Sequence, residues 1–585
     1  MSDYRIPLFS AFNLQIADWN PMTFSRSTFP VLVALTSLVA ACGTPATVAS
    51  PIAAPVVATT PAVVAGAPAE PSTVPAVTLT EAPRDWQLLD EATDHVPGIS
   101  ANRAMRELLA GKSPRQTVLV AIIDNGIDTA QADLRANLWV NPHEVPGNHA
   151  DDDHNGYADD LHGWNFIGGA NGQDVHFDTF EVTRQYARCH GLPAASGAPR
   201  LTDATYCASI DSAYQKQRKS IESSVQNYQQ AETVLKAITP MLQRAAGTDS
   251  LTEARVRAIA PSNPQLSQAR EIYLELASQG ATLGMIEEGL KSLEGQLQNG
   301  LNPSFNPRTI VGDNYADPTQ HYYGNPDVMG QDPMHGTHVA GIIGAVRGNG
   351  IGVDGIAPAV KLMMIRTVPD GDERDKDVAN AIRYATDNGA QIISMSFGKP
   401  YSPYKKAVDD AVKYADAHGV LMVHAAGNDG ANLDTAKNFP TPNYLDGGHP
   451  VNWIEVGASS WKGGDSLAAT FSNYSHTLVD VFAPGVDILS TTPGNTYERL
   501  SGTSMAAPVV SGLAALILDY YPNLTAADVK QAIVGSVSRY DQTVARPGDD
   551  AGQVAFSQLS KAGGIINAYR ALQMAAQISA GKPRP

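Results

Sequence analysis

Short runs of β-branched residues alternate along this chain with longer helical stretches, and no other feature narrows the available folds as far. Thr117–Ile123 reads TVLVAII, an apolar run without a polar alternate. That is the pattern of a strand covered on both faces. Comparable runs lie at Val360–Ile365, Gln391–Met395, Val420–His424 and Trp453–Val456. Helical patterns occupy Lys376–Asn388, Pro403–His418 and Ser504–Tyr521. The alternation predicts an α/β fold, a mostly parallel sheet with helices on both faces. In such sheets, sites form at the carboxyl ends of the strands. Hydrophobic residues make up 43% of the 585, enough for a large core.

One stretch, 173–330, breaks the alternation. It is polar and helical, with apolar residues at Ile210, Tyr214, Ile221, Val225, Tyr228, Leu235 and Ile238, and again at Leu283, Ile286, Leu290, Leu293 and Leu297. Spacings of three and four mark helices with one narrow apolar seam. We expect a helical hairpin or small bundle inserted into an α/β domain of residues 84–172 and 331–575. The insertion packs on that domain, or else serves as a lid or as an arm that binds a protein partner. Cys189 and Cys207 both lie in it, and an extracytoplasmic body would favour a disulfide between them.

Three segments have the makings of nucleophilic chemistry. Asp124 follows a buried strand in AIIDNGID. His335 opens a helix in HGTHVAG, with small residues around it. Ser504 lies in SGTSMAAP, at the start of the apolar helix VVSGLAALIL. A serine at a helix N-terminus sits where the dipole and free amides favour negative charge. A hydroxyl, a base and an orienting carboxylate are what acyl transfer by serine needs. His335 and His338 also stand at metal-pair spacing, but no third ligand of matching spacing follows. The G-x-S-x-G elbow of serine esterases does not surround Ser504.

Taken together, these segments resemble the subtilisin-like serine peptidases, whose chain order is Asp, His, Ser. The resemblance implies that Asp124, His335 and Ser504 are catalytic and that the substrates are proteins or peptides, cut with broad specificity. It implies that the Asn428 amide, in AAGN, donates to the oxyanion. It further implies that Gly427 and the strand Ser394, Met395, Ser396, Phe397 and Gly398 contact substrate, the latter as an edge strand that pairs with its backbone. Asn125 departs from the family, which has serine or threonine there. The chemistry needs no cofactor. The rival reading is a catalytically latent binding protein that uses the cleft and the insertion.

Two places suggest structural calcium. Asp151, Asp153 and Asn155 form the D-x-D-x-N-G half of a calcium loop. His162 stands where the closing glutamate belongs, so Asp160 is the candidate to close it; a solvated acidic turn is the alternative. Asp133 with the loop of Asn349, Ile351 and Val353 resembles a calcium site of subtilisins.

The N-terminus reads as an address. Arg26, then an apolar run over 29–40, then small residues, is the plan of a secretory signal. It ends in Val39-Ala40-Ala41-Cys42, which resembles the lipobox of bacterial lipoproteins and implies a lipid on Cys42. Residues 1–42 are thus a signal peptide, with Met22 as the start that fits a signal layout. Residues 43–83, rich in Ala, Pro, Val and Thr, read as a semi-extended tether, and 576–585 as a tail. By resemblance to lipoprotein sorting, Gly43 favours an outer-membrane location. The net charge of −18 repels nucleic acid.

Overall fold

A computed structural model describes residues 73–278, 281–548 and 552–581. The expected signal segment with Cys42, the start at Met22 and residues 43–72 of the expected tether lie outside them. From Val74 onward the chain is packed. Val74 is buried, its N–H donates to Gln542 Oε1 at 2.6 Å, and Val77 N–H donates to the Lys462 carbonyl. The packed body therefore begins ahead of 84, because Val74 and Ala82 find apolar cover. At the other end a helix over Ala568–Ala580 carries order past 575.

The strands are β1 (Val118–Asp124), β2 (Gly163–Asn165), β3 (Val360–Arg366), β4 (Ile392–Met395), β5 (Leu421–Ala425), β6 (Trp453–Ser459) and β7 (Val481–Pro484). They lie in one sheet in the order β7-β6-β5-β4-β1-β3-β2, all parallel. Gly564–Ile565 extends the sheet beyond β7 and Ser538–Arg539 closes it antiparallel, making nine strands. A separate hairpin pairs β8 (Ile488–Thr492) with β9 (Thr496–Leu500). The expected α/β class is what the chain adopts.

The helices used below are α1 (Glu181–His190), α2 (Ala204–Ala246), α3 (Pro264–Ser278), α4 (Leu283–Gly295), α5 (Met334–Gly344), α6 (Asp375–Asp387), α7 (Lys405–Ala417) and α8 (Thr503–Tyr520). Alternation along β1 sends Val118, Val120 and Ile122 into the layer that holds α5 and α8, and Ala121 and Ile123 into the layer of α6 and α7. Helix α8 is apolar all round because it is buried all round.

The insertion is built on α2, with α3 and α4 laid along it. The buried residues of α2 are Ile210, Tyr214, Val225, Tyr228, Leu235, Ile238 and Leu242, so the seam read from the spacing is the packed face. Cys189, in α1, is disulfide-bonded to Cys207, in α2. Helix α1 does more than pack. Arg184 donates to the Asp372 and Glu373 carbonyls, and Lys399 Nζ reaches both Glu181 and Asp375. Burial alone would raise the Glu181 carboxyl; Arg184 and Lys399 outweigh it and hold it below the usual range.

Candidate active site

Asp124 ends β1, so its side chain emerges at the carboxyl edge of the sheet. His335 is the second residue of α5, and its Nδ1 lies 2.7 Å from Asp124 Oδ1. Both are buried, at 8% and 1% exposure, so little water competes for that contact. The neighbouring residue locks the geometry. Asn125 Oδ1 accepts from Gly336 N–H at 2.9 Å while its Nδ2 donates to the Asp332 carbonyl at 2.8 Å. The residue that departs from the family pattern is thus the staple between the acid's strand and the base's helix. Sequence reasoning missed this role, because Asn125 reaches a partner far along the chain.

His338 turns away from this centre. Its Nε2 lies 3.0 Å from the Ile488 carbonyl and 3.1 Å from that of Glu498, and burial pushes its pKa down to about 3. It is a neutral imidazole that ties α5 to the β8–β9 hairpin, and it forms no metal pair with His335.

Ser504 is the second residue of α8. Its Oγ donates to the Ser396 carbonyl at 3.2 Å, and Ser396 Oγ donates to the Ser504 carbonyl at 2.9 Å. Asn428, just beyond β5, is turned by Thr503. Its Oδ1 accepts from Thr503 N–H at 2.8 Å and from Thr503 Oγ1 at 2.9 Å. That fixes which end of the amide is oxygen and leaves Nδ2 on the side of Gly502 and Ser504. Gly427 has φ of +98°, and a Cβ there would meet Asn473 Nδ2 at 2.5 Å, so the turn before Asn428 requires glycine. Asn438, also missed from sequence, wedges between Gly398 and Gly427 and donates to the Ala425 carbonyl.

The expected edge strand needs correction. Strand β4 is interior, with β1 on one side and β5 on the other. The backbones of Ser394 and Met395 are committed to those neighbours, and Ser394 Oγ accepts from Ser511. Neither can pair with an incoming chain. Only Ser396, Phe397 and Gly398, past the end of the strand, remain at the site.

The two calcium candidates also divide. Carboxylate oxygens of Glu144, Asp153 and Asp160 lie within 4.8 Å of one another, a hard-oxygen set that suits a divalent cation. Burial pushes Asp160 up to about 6, against hydrogen bonds from Tyr384, Asn141 and Asn155. Asp151 is not in this set; its carboxylate accepts from the N–H groups of Asn155 and Gly156. Asn155 offers Nδ2 to Asp153 and Asp160, because Tyr157 N–H holds its oxygen. Glu144, from a separate turn, supplies the third carboxylate. At the other candidate, Asp133 accepts from Asn349 Nδ2 and Val353 N–H, and Arg84 donates to the Gly352 carbonyl. Protein donors take both oxygens of Asp133, and the Arg84 guanidinium sits at the loop of Asn349, Ile351 and Val353.

The model of the subtilase family matches residues 278–557, a span that includes His335, Asn428 and Ser504 and begins after Asp124. A thermophilic serine proteinase of Bacillus sp. (strain AK1) is 41% identical over 217 residues, 36% of this chain and 50% of that protein. This chain thus spans half the length of that relative. Subtilisin DY of Bacillus licheniformis is 40% identical over 200 residues, covering 34% of this chain and 68% of the relative. Thermitase of Thermoactinomyces vulgaris is 32% identical over 311 residues, covering 53% of this chain and 95% of the relative.

Proposed function

The chain belongs to the subtilase family and is a serine endopeptidase, and from that premise we propose that Asp124, His335 and Ser504 are its catalytic triad. The observation that carries this reading is the 2.7 Å contact of His335 Nδ1 with Asp124, and beside it stand the contacts by which Ser396 and Thr503 hold Ser504 and Asn428. Asp124 keeps a proton on Nδ1, so Nε2 is the basic nitrogen. Ser504 Oγ leaves the Ser396 carbonyl, gives its proton to Nε2 and attacks the scissile carbonyl carbon. The oxyanion takes hydrogen bonds from Asn428 Nδ2 and the Ser504 N–H at the start of α8. The imidazolium then protonates the leaving amine, and water hydrolyses the acyl-enzyme by the same route. Specificity is broad, because the residues beyond β4 offer mainly backbone.

The enzyme is exported and held near a membrane by a lipid on Cys42, with the Pro-rich stretch after it as tether; Gly43 favours the outer membrane. Support comes from the Val39-Ala40-Ala41-Cys42 run behind an apolar segment. Calcium, bound by Glu144, Asp153 and Asp160, would supply stability and no chemistry.

Fluorophosphonate labelling and casein digestion, with Ser504→Ala beside the wild type, test the triad. Both signals are expected to vanish in the variant. A folded wild type that neither labels nor cleaves would overturn the reading. Labelling of cells with a clickable fatty acid tests the anchor, which Cys42→Ala is expected to abolish.

A further inference from the structure

His424, in β5, is fully buried, and so is Glu455 beside it in β6, although the reaction above uses neither. Their contacts form one directed chain. Trp453 Nε1–H donates to Glu455 Oε2 at 2.8 Å. Glu455 Oε1 lies 2.9 Å from His424 Nδ1, and His424 Nε2 lies 2.9 Å from the Phe397 carbonyl oxygen. A carbonyl oxygen only accepts, so Nε2 carries a hydrogen. Nδ1 faces a carboxylate, so one further proton lies between Nδ1 and Oε1. The chain therefore ends in a donor aimed at the Phe397 peptide.

That peptide matters because of its neighbours. Ser396, one residue before, exchanges hydrogen bonds with Ser504 in both directions. Gly398, one residue after, is partly exposed, and its N–H makes no hydrogen bond among the described residues. The Phe397–Gly398 peptide is trans, since Phe439–Pro440 is the only cis bond among the described residues. In a trans peptide the C=O and N–H point opposite ways. By drawing the carbonyl down toward the layer of α6 and α7, His424 turns the Gly398 N–H outward, where an extended substrate backbone can accept from it.

We propose that His424, oriented by Glu455, is a positioning residue that sets the facing of the Phe397–Gly398 peptide and thereby the binding of extended substrates at this site. The inference rests on the peptidase reading above. It concerns residues upstream of the scissile bond, not the bond-breaking step itself.

The test compares kcat/KM for a single-residue ester with that for peptides lengthened on the acyl side to four residues, in wild type, His424→Leu and Glu455→Gln. Fluorophosphonate titration counts active sites in each. His424→Leu keeps the bulk and loses the donor. It is expected to lose roughly tenfold on the longest peptide, the worth of about one hydrogen bond, while the ester rate and the titrated fraction stay as in wild type. Glu455→Gln is the conservative control. Its carbonyl can accept from Trp453 and its amide can donate to Nδ1, so Nε2 keeps its hydrogen and the length dependence persists. Equal loss on ester and peptide, no loss on either, or Glu455→Gln behaving like His424→Leu would overturn the proposal. If wild type cleaves nothing, the peptidase reading fails instead.

Discussion

Asp519 lies one residue from the end of α8, fully buried; among the described residues its Oδ1 has no partner and its Oδ2 accepts only the Ala359 N–H, at 3.2 Å. Burial pushes its carboxyl up to about 8, with that single hydrogen bond pulling the other way. The folded state thus keeps a proton that the unfolded chain releases near its ordinary value of 3.8. Between those two values the folded state binds more protons than the unfolded one, so stability falls as pH rises. Asp519→Asn removes that penalty. Its melting temperature is expected to exceed wild type by about 2–4 °C at pH 8 and to match it near pH 4. Scanning calorimetry at both pH values checks this, and an equal gain at both would assign the effect to packing. Asn125 and Asn428 show the same residue-scale logic in the site. Asn125 is held at both ends of its amide and fixes the backbone around His335, whereas Asn428 is held at its oxygen, which keeps its Nδ2 aimed before substrate arrives.

At the scale of elements, the insertion is joined to the catalytic body by buried charge. Lys399 follows Gly398 directly and reaches Glu181 of α1 and Asp375 of α6, at 3.1 and 2.8 Å. Arg184 adds two backbone carbonyls from the segment after β3. The insertion therefore helps to hold the segment that continues Ser396–Gly398. Lys399→Met leaves Glu181 its pair with Arg184 but takes the cation from buried Asp375, and breaking a buried pair in this way typically costs about 3–5 kcal/mol. Urea unfolding is expected to show that loss, and adding Asp375→Asn is expected to restore part of it. Additive losses in the double variant would mean that the two groups act independently.

At the scale of the whole molecule, the cluster of Glu144, Asp153 and Asp160 ties the excursion between β1 and β2 to α6 through Tyr384, whose hydroxyl donates to Asp160. A cation bound only by the folded chain stabilises it by mass action, about 2.7 kcal/mol at a hundredfold excess over Kd. Calcium is expected to raise the melting temperature, chelation to lower it, and Asp153→Asn to remove the response. A response that survives Asp153→Asn would place the ion elsewhere.

How much was legible follows from the range of each interaction. The strand runs, the seam of α2 and the three motif segments could be read because burial periodicity and helix-start chemistry are local: Ile122 and Ile123 sort to opposite layers by alternation alone, and Ser504 opens α8 in its own short motif. The sequence alone therefore determined the fold class, the chain order of the motifs and the outline of the insertion. Tertiary structure decided the rest. It made β4 an interior strand, which withdrew Ser394 and Met395 from the site. It brought Glu144 in place of Asp151, closed the Asp133 loop with protein donors, and set His424 against Glu455 and Phe397. Each of these depends on which distant residue arrives within hydrogen-bond reach, and no spacing along the chain encodes that.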